Sequence, residues 1–317
     1  AFFAGDRDLT ERLLAEGLNS SQPWVRAAVR MFRANLHEND GEVDAMAADV
    51  DLAIEEFRSL GERWGLANTL RSKAMVHSLR GELDEADAAY DEALDLMAQI
   101  KSREDEAYLL VRLGEVAVRR GDTAKARRLM QRAWESAEQS GSPLESVFTL
   151  AMLAEIERHG GDIERSRALQ REAMRRVATL PPSHPAQSHG HTIVLIMGAR
   201  LSFDEGDLPE AVRLGKESYT SAIATKDLPI LASVGVVLAD IAAQCGRAET
   251  AAEMLGAAAR LRGADDSTGP DIARLTTQLR DELGGATFDE RYAYAKSLDR
   301  EAATLRLDPA EALSGLA

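Results

Sequence analysis

A glycine returns along this chain at fixed distances. Gly41, Gly81, Gly121 and Gly161 stand forty residues apart, Gly206 follows after forty-five, and Gly246 after another forty. Five residues beyond them lie Met46, Ala86, Ala126, Ser166, Ala211 and Ala251; twelve beyond lie Ala53, Ala93, Ala133, Ala173, Ser218 and Ala258. A second series, Gly61, Lys101, Gly141 and Lys226, marks another turn. A period of this length holds two helices and their turns. Each such hairpin leaves an apolar flank that only the next hairpin covers, so the units must stack.

The local chemistry agrees. The marker glycine follows an amphipathic segment, as Leu110–Ala117 precedes Gly121. Glycine there ends a helix in the left-handed conformation without a Cβ penalty. The next residue is usually acidic (Glu42, Glu82, Asp122, Asp162, Asp207) and suits the N-terminus of the following helix. Asp207 with Glu210, and Ser142 with Glu145, have capping-box spacing. Aromatics make up only 5% of the chain, and alternating strand signals are missing. The expected fold is all-α: a right-handed superhelix of antiparallel helix pairs, closed by C-terminal capping helices.

The pattern resembles the tetratricopeptide repeat (TPR) in a lengthened form. The best matches run from Gly81 through Ala86 and Tyr90 to Ala93, and from Leu113 and Gly114 through Gly121 and Ala126 to Ala133. The early aromatic is replaced by Leu70, Leu110, Leu150 or Leu195, and the closing proline is missing. The expected organisation is a truncated repeat helix over residues 1–23, six TPR-like hairpins over 24–262, and capping helices with a tail over 263–317. A Pro/Ser/His stretch at 181–190 breaks the period, either as a hinge or as a longer surface connection. Beyond Pro270, residues 271–283 and 288–305 read as helices outside the forty-residue register.

The stretch from Thr250 onward carries a second resemblance. Leu255, Gly256, Leu261, Arg262 and Gly263 are followed by Leu283, Gly284, Phe288, Tyr292, Ser297 and Leu298. This is similar to the C-terminal end of actinobacterial STAND regulators of the SARP type, which join a DNA-binding module and an ATPase to a TPR sensor. The resemblance implies that this segment is the sensor arm. It also implies upstream ATPase and DNA-binding domains in the same chain, and no cofactor in this segment. The opening Ala1-Phe2-Phe3-Ala4 reads as the middle of a hairpin, and the segment is expected to come from a longer protein. A free-standing cytoplasmic TPR adaptor or peptide receptor is the alternative.

Several classes of function lack their parts. A net charge of −15 argues against direct nucleic-acid contact and against an anionic membrane surface. No apolar run is long enough to span a bilayer, and a single cysteine, Cys245, fits a reducing cytoplasm. No phosphate loop, H-E-x-x-H, G-x-S-x-G or C-x-x-C motif occurs, so an enzyme is not expected. His184, His189 and His191 fall within eight residues and are a candidate metal cluster. A solvated polar loop is the simpler reading of them, and no metal site is expected.

The concave groove is the stronger candidate. Counting thirteen, ten and six residues back from each marker glycine gives the side chains that should line it. Among them are Asn35, Arg71, Met75, Tyr108, Glu115, Phe148, Glu155, Arg200 and Asp240. Arg71 and Arg200 suit a carboxylate, while Tyr108 and Phe148 offer aromatic anchors. The bland alternative is a solvated superhelix interior. The apolar helices around 193–197 and 231–238 place the open groove in the first four repeats. The expected partner is a protein, peptide or signal bound there.

Overall fold

The computed structural model describes residues 7–141, 143–181 and 185–312, and every regular element among them is a helix. After α1 (Arg7–Leu18) come α2 (Pro23–Asn39) with α3 (Val43–Leu60), α4 (Arg63–Arg80) with α5 (Leu83–Ile100), and α6 (Arg103–Arg119) with α7 (Thr123–Ser140). They continue as α8 (Pro143–His159) with α9 (Ile163–Ala178), α10 (Pro185–Asp204) with α11 (Leu208–Thr225), and α12 (Leu228–Gln244) with α13 (Ala248–Arg262). Next are α14 (Pro270–Leu283), α15 (Gly285–Lys296), α16 (Arg300–Arg306) and the short α17 (Pro309–Ala312). The molecule is an all-α solenoid of TPR type. No described helix is long and apolar enough to cross a membrane.

The forty-residue period is a packing rule. All twelve residues five and twelve places beyond the six marker glycines are 0% exposed. Small side chains at all of those points but Met46 let the two helices of a pair approach closely, and larger ones such as Tyr90, Met97 and Met130 are fully buried around them. The turns follow the same rule. The second-series lysines Lys101 and Lys226 adopt φ of 59° and 56° where Gly61 and Gly141 stand in other repeats. That conformation costs a residue with a Cβ about 1–2 kcal/mol, which burial of the flanking helices offsets.

The acidic residue after each glycine plays one of two parts. Asp122, Asp162 and Asp207 accept the N–H of Lys125, Arg165 and Glu210 at 2.8, 3.0 and 3.2 Å, capping α7, α9 and α11. Glu42 and Glu82 carry one more methylene and reach back instead to His37 and His77, at 2.7 and 2.5 Å. Ser142, the other proposed cap, lies outside the described residues, as do residues 1–6 and 313–317 of the expected terminal segments.

Two expected elements differ. Residues 185–190 are not loop: they add more than a turn to the start of α10, which begins at Pro185 as prolines often do at a helix's first position. The expected helix over 288–305 is broken at Ser297–Asp299, where the Asp299 carboxylate accepts the Ala302 N–H and starts α16 afresh.

First helices pack on first helices: α2 on α4, α6 on α8, α8 on α10 and α10 on α12. They form the inner layer around a channel, and the second helices cover them from outside. The stack also closes on itself. Helix α12 touches α2, and the glycine turn after α2 meets the end of α13. A Cβ on Gly41 would lie 2.1 Å from the Leu261 carbonyl oxygen, and one on Gly263 would lie 2.0 Å from that of Gly41.

Candidate functional site

The inner helices bring the expected groove residues into two groups. In the first three pairs, Arg71 on α4 donates from Nη2 to Asn35 Oδ1 on α2 at 3.2 Å. Its guanidinium lies 5.1 Å from the centre of the Tyr108 ring on α6, and that of Arg112 lies 5.0 Å from it. The Tyr108 hydroxyl accepts from Arg112 Nε at 2.9 Å, and Arg112 Nη1 donates to both carboxylate oxygens of Glu115 at 2.8 and 3.0 Å. Met75 is half-buried beside the apolar core of these pairs, and Phe148 is half-buried on α8.

Sequence reasoning passed over two members of this group. Arg112 sits beside the counted positions. Glu38 continues the counted face by one further turn of α2, three residues before Gly41, so the same helical spacing would have found it. Burial raises the Glu38 carboxyl above its ordinary range even with Arg71 and Arg112 nearby. Burial opposes the charge on Arg71 and Arg112, yet both stay firmly protonated, Arg71 beside Tyr108 and Glu38, Arg112 beside Glu115 and Tyr108. Most telling is Arg71 Nε, which is buried and has no hydrogen-bond partner among the described residues. Buried donors in native proteins are nearly always paired.

The second group spans the fourth to the sixth pair; the sequence left only the fourth of these open, and that one is covered as well. Glu155 on α8 accepts from Arg158 at 2.8 Å and from Arg200 on α10 at 3.2 Å. The first turn of α14 then closes over them. Asp271 accepts from Arg158 Nη2 at 2.6 Å, with Arg200 Nε at 3.6 Å. Arg274 pairs with Asp240 of α12. So Glu155, Arg200 and Asp240 do face the interior, but the chain's own C-terminal helices occupy that stretch. The later stretch is covered because a capping helix carries charges complementary to it.

Asp240 gives this closure a pH signature. Burial lifts its carboxyl from 3.8 to about 6, against the pull of Arg274; Asp271 and Arg200 are the other charges facing it. The folded state therefore holds this proton more tightly than the unfolded chain. Its contribution is full below pH 3.8 and is lost as pH rises through 6. Between pH 4.5 and 7.5 the wild type is expected to lose about 2 kcal/mol relative to Asp240→Asn. Urea unfolding at the two pH values measures this, and parallel profiles for the two proteins would contradict it.

The histidine cluster does not assemble. His189 and His191 both lie on α10, two residues and so roughly 200° apart around its axis, and His189 faces Asp227 at 3.7 Å. His184 lies outside the described residues. Among the described residues, Glu155, His159 and Asp271 do have ligand atoms within 4.8 Å of one another. Arg158 and Arg200 stand against the same carboxylates and supply the positive charge a cation would bring.

The comparisons with known proteins bear on the fold that carries these groups. A model of the MalT-like TPR region matches residues 101–280, more than half the chain, from the third pair into α14. No curated protein sequence matches. Among solved structures, a Rap protein complexed with competence and sporulation factor superposes with a TM-score of 0.63 at 13% identity, covering 93% of this chain and 81% of that one. The apo form of the quorum sensor NprR from B. thuringiensis gives 0.51 at 10% identity, with 96% and 87% covered. A STAND protein with a tetratricopeptide repeat sensor from Pyrococcus horikoshii gives 0.48 at 15% identity, with 93% and 43% covered. At these identities the likeness is one of fold. The family match reaches further, and this chain belongs to the MalT-like TPR region family.

Proposed function

We propose that this chain is a non-catalytic sensor domain that binds a peptide or similar signal in the channel of its first three helix pairs. The observation that carries the reading is Arg71: a charged side chain with a buried, unpartnered Nε, 5.1 Å from the centre of the Tyr108 ring and under the charge of Glu38. A ligand acceptor is the natural partner for such a donor. The fold neighbours add precedent, since the Rap protein is complexed with a competence and sporulation factor and NprR is a quorum sensor. The C-terminal resemblance extends the proposal. The domain serves a larger ATP-dependent transcriptional regulator of the actinobacterial SARP type, with ligand engagement controlling upstream ATPase and DNA-binding modules. It needs no cofactor of its own, contacts neither nucleic acid nor membrane, and works in the cytoplasm.

Selecting a random peptide library on the chain tests the site. Binders are expected to compete for one place and to lose about thirtyfold in affinity with Arg71→Gln, the loss for a charge-assisted bond of about 2 kcal/mol. Arg213→Gln, on the outer helix α11, should leave binding unchanged. Binders indifferent to Arg71 would overturn the channel reading. The reading frame upstream of the Ala1 codon tests the larger context. An encoded phosphate loop supports the regulator, and a nearby start codon favours the free-standing adaptor.

A further inference from the structure

After α13 the chain runs through residues 263–269, which pack on Arg119 of α6 and on the turn at Gly81. Asp266 adopts φ of 51° and is buried against Arg119 of α6, which holds both of its carboxylate oxygens. Thr268 Oγ1 accepts from Arg119 Nη1 at 2.9 Å, and its methyl faces the glycine turn at Gly81. Asp271 then enters the inner layer between Arg158 and Arg200, with His159 Nε2 at 3.6 Å. The connector thus delivers carboxylates to arginines of the inner helices.

The Arg158–Arg200 pair is a built receptor for such a group. The Arg158 side chain is 7% exposed, and those of Glu155 and Asp271 are 14% each. Glu155 takes one side of both arginines, and the remaining place between them is the one Asp271 fills. A cavity of about 10 Å³ adjoins it, lined by Arg158, Arg200 and Asp271 with Phe203, Val237 and Asp240 among their neighbours. Burial works against the charge of Asp271, but His159, Arg200 and Arg158 outweigh it, so this carboxylate stays ionised far below the ordinary range. The pair therefore presents two charged guanidinium groups to whatever occupies the place. Leu275 and Leu279, both fully buried, hold α14 down independently of Asp271.

We propose that Arg158 and Arg200, on the inner helices that follow the first three pairs, form a carboxylate-binding site, that Asp271 is its resident occupant, and that an acidic side chain of a peptide ligand takes the place of Asp271. The second half of this rests on the reading of the channel as a ligand groove; the first does not. The chain itself supplies the chemistry, since an aspartate on a helix's first turn is already bound there.

Chemical rescue separates the two halves. Asp271→Ala vacates the place while leaving α14 anchored. Its thermal midpoint in sodium chloride is expected to fall below that of the wild type. Replacing the chloride by up to 0.5 M sodium acetate (roughly the range a single weak site needs) should recover at least half the loss. Wild type should respond to the exchange no more than to salt alone, and Asp271→Ala with Arg200→Gln should not be rescued. Asp271→Ser with sodium formate repeats the test should the alanine variant fold poorly. Equal midpoints of the vacated variants in carboxylate and chloride overturn the site, whatever the channel binds. Rescue together with at least tenfold tighter binding of channel-selected acidic peptides to Asp271→Ala supports the whole proposal. Rescue without tighter binding overturns the ligand's use of the site.

Discussion

Arg158→Met is expected to cost about 3–5 kcal/mol of stability at pH 7, the range for removing one partner from a buried ion cluster. The guanidinium donates to Glu155 and Asp271 from Nη2, at 2.8 and 2.6 Å, and to Asp204 from Nη1 at 3.0 Å. Methionine replaces much of the packing and none of the charge, so two largely buried carboxylates are left to Arg200 and His159 alone. The loss carries its own pH dependence. Burial acts to raise both carboxyls, but Arg158 and Arg200 with Glu155, and His159, Arg200 and Arg158 with Asp271, hold them below their ordinary values of 4.5 and 3.8. A depressed carboxylate contributes stability above its unfolded value and loses it as pH falls through the folded one. The deficit of Arg158→Met is therefore full at neutral pH and starts to shrink below about pH 4. Arg213→Met, on α11 with a side chain 57% exposed beside Glu210 and Glu217, is the control and should stay within about 0.5 kcal/mol of wild type. Urea unfolding of both variants at several pH values decides. A neutral-pH deficit under about 1 kcal/mol would mean that the carboxylates find equal partners without Arg158.

The recurring parts of this molecule were legible because they are local. A marker glycine, a small residue five places on and another at twelve encode a helix end and a close helix crossing, and every repeat but the first, which has Met46, states all three. The same register located the inner face. Asn35 meets Arg71, Arg71 meets Tyr108, and Glu155 meets Arg200, all from positions counted back from a glycine. What escaped was non-local or aperiodic. Arg119 and Asp266 are 147 residues apart, Arg300 and Glu42 are 258 apart, and no spacing rule joins them. The connector that pairs with Arg119 has no counterpart in the earlier repeats, so Asp271 and Arg274 looked like ordinary residues of a capping helix. Glu38 and Arg158 were missed for a simpler reason. They lie one helical step past the counted lines, three residues before Gly41 and Gly161. The Pro/Ser/His stretch at 185–190 was misread because its composition is that of a loop, whereas a proline at its start is compatible with the first turn of α10.

The joint between the first and last pairs yields the other large effect. Gly41→Ala is expected to destabilise the protein by at least about 3 kcal/mol, well beyond the roughly 1–2 kcal/mol of a left-handed alanine. Gly41 has φ of 64°, and its Cβ would stand 2.1 Å from a backbone oxygen at Leu261. A flexible side chain could swing aside; the main chain at the end of α13 cannot. It is held by the fully buried Leu261 and leads directly into the connector that Arg119 fastens through Asp266. The overlap is relieved only if the α2 turn and the end of α13 separate, which also weakens the nearby pair of Glu42 with Arg300 at 2.6 Å. Gly121→Ala isolates the steric part. Its φ of 76° imposes the same conformational strain, but nothing lies within 4 Å of the added carbon. The difference between the two variants thus measures the closure of the superhelix itself. It should appear as a lower urea midpoint for Gly41→Ala and as a larger radius of gyration by small-angle scattering. Equal losses and equal radii would mean that the contact between Gly41 and the end of α13 contributes nothing to holding the ring shut.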